Sequence, residues 1–192
     1  VGNGTEPPPS SYPLLAKGQL VAPGTLRFPA IPGVKSPTRW HQAWDADFGP
    51  EFRAKGIVTI DPPKVGKAFP IMVPQVNGDG METSGIRLPE IQAPLGTYTG
   101  WNLRDPRIGA PDSLYDMVGS FLPLARTRAE RESKRDPRLS VEERYATRDE
   151  YLAKIRAAAQ ELARSRYLLE EDVPKLLERA SRQWAHLADR QE

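Results

Sequence analysis

With no cysteine and two histidines, the residues best suited to proton transfer near neutral pH are few, and their spacing limits what they could do. His41 stands in Arg39-Trp40-His41-Gln42-Ala43-Trp44, beside aromatics and close to the acids Asp45 and Asp47. An imidazole so placed can serve as a general base. It needs a nucleophile to activate, and a serine presented on a strained strand-to-helix turn carries the pattern G-x-S-x-G. No such pentapeptide is present, and Thr83-Ser84-Gly85 and Gly119-Ser120-Phe121 read as turn residues. His41 therefore reads as a structural or solvent-facing loop histidine, with completion of a composite triad as the alternative. His186, among Trp184, Leu187 and Asp189 near a helix end, reads as a surface or capping residue.

Metal and phosphate chemistry are disfavoured by the same inspection. With two histidines and no cysteine, a transition-metal site built within this chain is not expected. The loop Gln75-Val76-Asn77-Gly78-Asp79-Gly80 has alternating oxygen ligands before a glycine. The position that should supply a bidentate carboxylate to calcium is Ile86, so a plain turn is favoured. Gly66-Lys67 is preceded by Asp61 where a phosphate-binding loop requires its first glycine. No cofactor and no metal are expected.

The elements that must position these residues fall into two halves. Most of the 20 prolines and all 15 glycines precede residue 124, whereas the remainder is rich in Ala, Leu, Arg and Glu. Proline lacks the backbone donor and pushes its predecessor towards extended geometry, so the first half should be loops and short strands. Gly56-Ile57-Val58-Thr59-Ile60-Asp61, closed by Pro62-Pro63, predicts one strand. Phe69–Val76 and Met81–Leu88 flank Asn77-Gly78-Asp79-Gly80 and predict a β-hairpin, with Pro70 and Pro74 suited to an edge.

In the second half, Ser140-Val141-Glu142-Glu143 and Thr147-Arg148-Asp149-Glu150 both have the S/T-x-x-E spacing of a helix start. Tyr151, Leu152, Ile155, Ala158, Ala159 and Leu162 then share one helical face. A last helix from about Glu171, with Pro174 in its first turn, carries Val173, Leu176, Leu177, Ala180, Trp184 and Leu187. The short connection Arg166-Tyr167-Leu168-Leu169-Glu170 makes these two helices an antiparallel hairpin. The expected class is α+β: an extended proline-rich segment over residues 1–55, short strands, hairpin and loops over 56–123, and a helical region over 124–192. No internal repeat is visible.

The 192 residues carry 27 Lys+Arg against 25 Asp+Glu, a formal charge of +2 that gives no field for gathering nucleic acid. No stretch approaches the roughly 20 apolar residues of a membrane span. The first residues, from Val1 to Pro9, show neither an initiator methionine nor the regions of a signal peptide, which leads us to expect a removed upstream segment. Localisation stays open. The sequon Asn3-Gly4-Thr5 is a short match with no default meaning.

The stretch from Leu95 to Arg104 (Leu-Gly-Thr-Tyr-Thr-Gly-Trp-Asn-Leu-Arg), then Ile108-Gly109-Ala110-Pro111, then Gly119 to Arg131, resembles the C-terminal signature of a family of bacterial α/β-hydrolase domain-containing proteins. The resemblance extends over essentially the whole chain, through Pro7 to Pro13, Phe28 to Gly33, Asp47-Phe48-Gly49-Pro50 and Ile86 to Glu90. It implies ester or related acyl hydrolysis, with the hydrolase motifs preceding Val1. Val1-Gly2-Asn3-Gly4 resembles the tail of the helix that follows the catalytic histidine in related esterases.

The expected role is thus an accessory segment of a serine-type hydrolase, inactive by itself. Its partner would be an upstream segment or a separate chain carrying the nucleophile, and its substrate a small ester. A non-catalytic binding or structural module is the alternative. Tyr98, Trp101 and Asn102 are the expected pocket residues, because a glycine-punctuated loop there groups amphipathic rings with an amide. Burial of those rings as loop anchors is the competing expectation, and Arg104 has the same two readings, a pocket residue or one half of an ordinary surface pair with Asp105.

Overall fold

The computed structural model describes residues 6–115 and 117–187. The sequon, the stretch Val1 to Gly4 and Asp189 lie outside the described residues. The chain is α+β, with its well-packed core on the helical side.

That core grows from helix-start chemistry. Thr127 accepts a hydrogen bond from the Glu130 N–H and opens α3, Arg128–Lys134. Ser140 opens α4, Val141–Arg144, with a complete capping box: its hydroxyl accepts from the Glu143 N–H and the Glu143 carboxylate accepts from the Ser140 N–H. Thr147 opens α5, Arg148–Arg164, where Glu150 reaches back to the Ala146 N–H instead of the cap residue. Each such cap contributes about 1 kcal/mol by pairing orphan donors. A short 3-10 turn, Glu170–Asp172, leads into α6, Val173–Leu187, with Pro174 in its first turn.

Helices α5 and α6 form the expected antiparallel pair. Arg148 at the start of α5 donates to Ser181 late in α6, and the Tyr151 and Trp184 rings lie 5.2 Å apart. Tyr151, Ile155, Ala158, Ala159 and Leu162 are buried, as the helical stripe requires. Tyr145 completes an aromatic trio with Tyr151 at 5.2 Å and Trp184 at 6.1 Å, and its hydroxyl donates to the Pro94 carbonyl at 3.0 Å. Short helix α2, Pro89–Gln92, and the buried Ala93 and Leu95 close the other side.

Among the described residues the first half holds three two-stranded antiparallel sheets. Strand β1, Leu20–Val21, pairs with β4, Val73–Pro74; β2, Trp44–Asp47, pairs with β3, Lys64–Ala68; β5, Gly96–Thr99, pairs with β6, Ser120–Pro123. Strands β1 and β2, both before residue 55, therefore find their partners beyond it.

Two expectations need correction. Residues 56–61 are not a strand. Gly56, in the left-handed region, instead ends the single turn of α1, Phe52–Lys55, and the N–H groups of Thr59 and Ile60 both donate to the Phe48 carbonyl. Gly49 explains the close crossing there: a Cβ on it would lie 1.9 Å from Thr59 Oγ1, and its φ of 110° already favours glycine. The reversal at 77–80 is real, with Asn77 Oδ1 accepting from the Asp79 and Met81 N–H groups, but the hairpin is one bridge long, Val76 to Glu82. Its arms separate because Val73–Pro74 pairs with β1, and Pro70 and Pro74 lack donors for a second ladder.

Extended residues near the N-terminus lie across the α5–α6 connection. The Glu6 carbonyl accepts from Arg166 Nη1, and the Pro9 carbonyl from the Tyr167 hydroxyl, each at 2.6 Å.

Candidate functional site

Around Tyr98, Trp101 and Asn102 the backbone is a strand followed by a folded excursion. Thr97, Tyr98 and Thr99 suit a pleated strand, and Gly96 lets the Phe121 ring lie on the backbone: a Cβ there would meet that ring at 2.5 Å. After Thr99 the chain leaves the sheet, and residues 100–115 fold back through a bridge between Leu103 and Leu114, supported by Arg104 N–H to the Ser113 carbonyl and Tyr115 N–H to the Asn102 carbonyl.

The Trp101 carbonyl is held by two hydroxyls, Thr99 Oγ1 at 2.6 Å and Ser120 Oγ at 3.0 Å, and Thr99 Oγ1 also accepts from the Ser120 N–H. This clamp fixes where the Trp101 side chain leaves the sheet. The half-buried indole packs edge-on against Phe28 at 5.4 Å. Asn102 Oδ1 accepts from the Leu103 N–H at 2.8 Å, which leaves its amide NH2 for other partners.

Trp101 and Asn102 line a cleft of about 300 Å³ opposite Val34 and Lys35. Tyr98 does not line it. By the alternation of a strand its side chain serves another surface, where the ring packs on Phe121 at 4.8 Å and the hydroxyl accepts from Gln183 Nε2 at 2.7 Å. Burial raises the Tyr98 pKa, against the lowering effect of the Gln183 hydrogen bond. The sequence places these three residues close together in the chain, and strand geometry separates Tyr98 from the other two.

Arg104 also lines the cleft. Of its two readings the surface pair is not formed: Asp105 pairs with Arg107 through two hydrogen bonds, at 2.9 and 2.7 Å, while Arg104 donates to the carbonyls of Gly109 at 3.1 Å and Ile108 at 3.2 Å. Neighbours in sequence point apart here because Asp105 caps the 3-10 turn Pro106–Ile108 and accepts the Arg107 N–H.

His41 borders a separate depression of about 170 Å³, with Trp40 and Ser113, which shares no lining residue with the Trp101 cleft. Of the acids near it in sequence, Asp45 pairs with Arg53 at 3.1 Å and Asp47 Oδ1 accepts from the Gly49 N–H at 2.9 Å. The Asp79 carboxylate pairs with Arg144. Among the described residues no group of three or more His, Asp or Glu side chains is arranged to hold a metal ion, and no helix is long and apolar enough to cross a membrane.

A second feature, not anticipated from sequence, braces β5 and β6 beside the cleft. Arg138, 3% exposed, donates to Asp136, to Thr97 Oγ1 and to the carbonyls of Leu122 and Pro123. Burial pushes the Asp136 pKa up, but the hydrogen bonds and charge of Arg138 outweigh it and hold the carboxyl below its ordinary value. Asp-Pro-Arg at 136–138 was the only sequence signal, and a charged tripeptide reads as solvated until its partners on β5 and β6 are known.

The described residues thus form an α+β scaffold bearing small clefts. They contain two-stranded antiparallel sheets and no strand–nucleophile–helix turn. Over residues 1–178 the sequence matches the alpha/beta hydrolase domain family, and the chain belongs to that family. No curated protein and no solved structure matches it.

Proposed function

We propose that this chain is an accessory part of a serine-type α/β-hydrolase acting on carboxylic esters. Its catalytic serine, acid and histidine would be supplied by residues outside this sequence, in an upstream segment or partner chain. The cleft walled by Trp101 and Asn102 would form one wall of the substrate pocket, with Tyr98 holding β5 against α6 behind it.

One observation carries this reading. Within a member of a hydrolase family, the segment 44–69 leaves Trp44, Val65 and Phe69 at least half exposed, and Phe52, Ile57 and Val58 more than a third exposed. The helical half by contrast buries its apolar face. A concentration of uncovered apolar side chains marks a surface that packs against something else, and the family match supports a hydrolase body as that partner.

The experiment is reconstitution. The chain alone and the chain together with the hydrolase portion of its protein are assayed with p-nitrophenyl esters. Turnover only in the combined sample supports the proposal. Turnover by this chain alone, sensitive to serine-directed inhibitors, contradicts it. Association without turnover on any ester favours the second reading, a binding or structural module.

A further inference from the structure

We infer that the Trp101 cleft binds amphipathic carboxylates, with an apolar tail on its walls and an anionic head at its rim. This deepens the pocket assignment above and rests on it for its place in hydrolysis, although binding itself can be measured without turnover.

The walls are Val34, Trp101, Leu103, Leu122 and Pro111, all apolar. Among the described residues its charged side chains are Lys35 and Arg104, and no Asp or Glu lines it. This imbalance is local, since the chain as a whole carries nearly equal numbers of both signs. Asp105, adjacent in sequence to the lining residues Arg104 and Pro106, is held by Arg107 in a pair outside the lining.

Hydrogen-bonding capacity points the same way. Arg104 commits Nε and one terminal nitrogen to the carbonyls of Gly109 and Ile108, which fixes the guanidinium plane and leaves the other terminal nitrogen over. Asn102 commits its oxygen to the Leu103 N–H, so its NH2 is what remains. The Ser120 hydroxyl proton is committed to the Trp101 carbonyl. A cationic ammonium, a guanidinium N–H and an amide NH2 around an apolar slot match a ligand whose polar end only accepts. A carboxylate accepts without donating, and it carries the charge that the two cations lack. The volume, about 300 Å³, sits at the small end of ligand pockets and suits an acid with an aryl or short alkyl tail.

The test uses the complete hydrolase and three probes of one shape: 3-phenylpropionate, 3-phenylpropanamide and 3-phenylpropylamine. Dissociation constants are taken by calorimetry in wild type, Lys35→Glu and Lys35→Arg. Lys35 is exposed, with no hydrogen bond or ion pair found for it among the described residues, so its replacement should leave the fold intact. We expect the carboxylate to bind about tenfold or more tighter than the amide, with the amine weakest. Lys35→Glu should abolish that preference, and Lys35→Arg should keep it. Equal binding of the three probes, or a preference that survives Lys35→Glu, overturns the inference.

A parallel ester assay separates it from the pocket assignment. Carboxylate preference lost in Lys35→Glu with ester KM unchanged would leave the ligand site standing and remove it from the hydrolytic pocket. An altered ester KM without carboxylate preference would do the reverse.

Discussion

Arg138 Nη1 donates to Thr97 Oγ1 at 2.8 Å, across 41 residues of chain, and Thr97 Oγ1 in turn donates to the Asp79 carbonyl. This contact joins the helical half to β5 and to the turn at 77–80, so the strand beside the cleft is held by a residue distant in sequence. Asp136 balances the charge, at 2.7 Å with both side chains buried.

Removing one member of a buried ion pair strands the other, which costs about 3–5 kcal/mol, more than the pair itself contributes. Arg138→Met should therefore lower stability by that amount in urea unfolding of the hydrolase, and Arg138→Met with Asp136→Asn should recover part of it. A loss under about 1 kcal/mol for the single variant would show that the network does not hold β5.

Glu143 gives a pH dependence with a definite sign. The Ser140 hydroxyl and N–H hold its pKa down, assisted by Arg131 at 2.8 Å, from the ordinary 4.5 to about 2. A carboxyl whose folded pKa is depressed contributes stability above its unfolded value and loses it as pH falls towards the folded one. The melting temperature should thus drop between about pH 4.5 and pH 2, and Glu143→Gln should flatten this acid limb while lowering stability at pH 7. An unchanged acid limb in the variant would contradict the capping-box assignment.

Trp101 and Tyr98 should separate by phenotype. Trp101→Ala should change ester KM or substrate range, with a stability loss below the roughly 3–5 kcal/mol of a fully buried ring, because the indole is half-buried against Phe28. Tyr98→Phe should leave the substrate range unchanged and cost about 1 kcal/mol through the lost Gln183 hydrogen bond. A large stability loss for Trp101→Ala with no change in substrate preference would assign the indole to packing.

His41→Ala should leave turnover of the complete hydrolase within about tenfold, since loss of a triad member costs several orders of magnitude. A drop of that larger size with folding intact would promote His41 to a composite triad.

Helix starts and faces were legible in the sequence because hydroxyl caps and 3.6-residue stripes are local. Thr127-Arg128-Ala129-Glu130 carries the same spacing and could have revealed α3. The segment 56–61 misled because β-branched residues report a preference for extended backbone, whereas the Gly49–Thr59 crossing that bends it is a long-range contact. Trp101 and Asn102 were visible as amphipathic residues in a glycine-rich stretch. That Tyr98 turns away and Arg138 supports the sheet follows from the β5–β6 register, which no short window encodes.

The most direct measurement is active-site labelling of the complete hydrolase with a fluorophosphonate, followed by peptide mapping. Stoichiometric label on a serine outside this sequence, with loss of esterase activity and none on Ser84, Ser113 or Ser120, is the predicted result. Label on any serine of this chain, with activity lost in proportion, would contradict an accessory role.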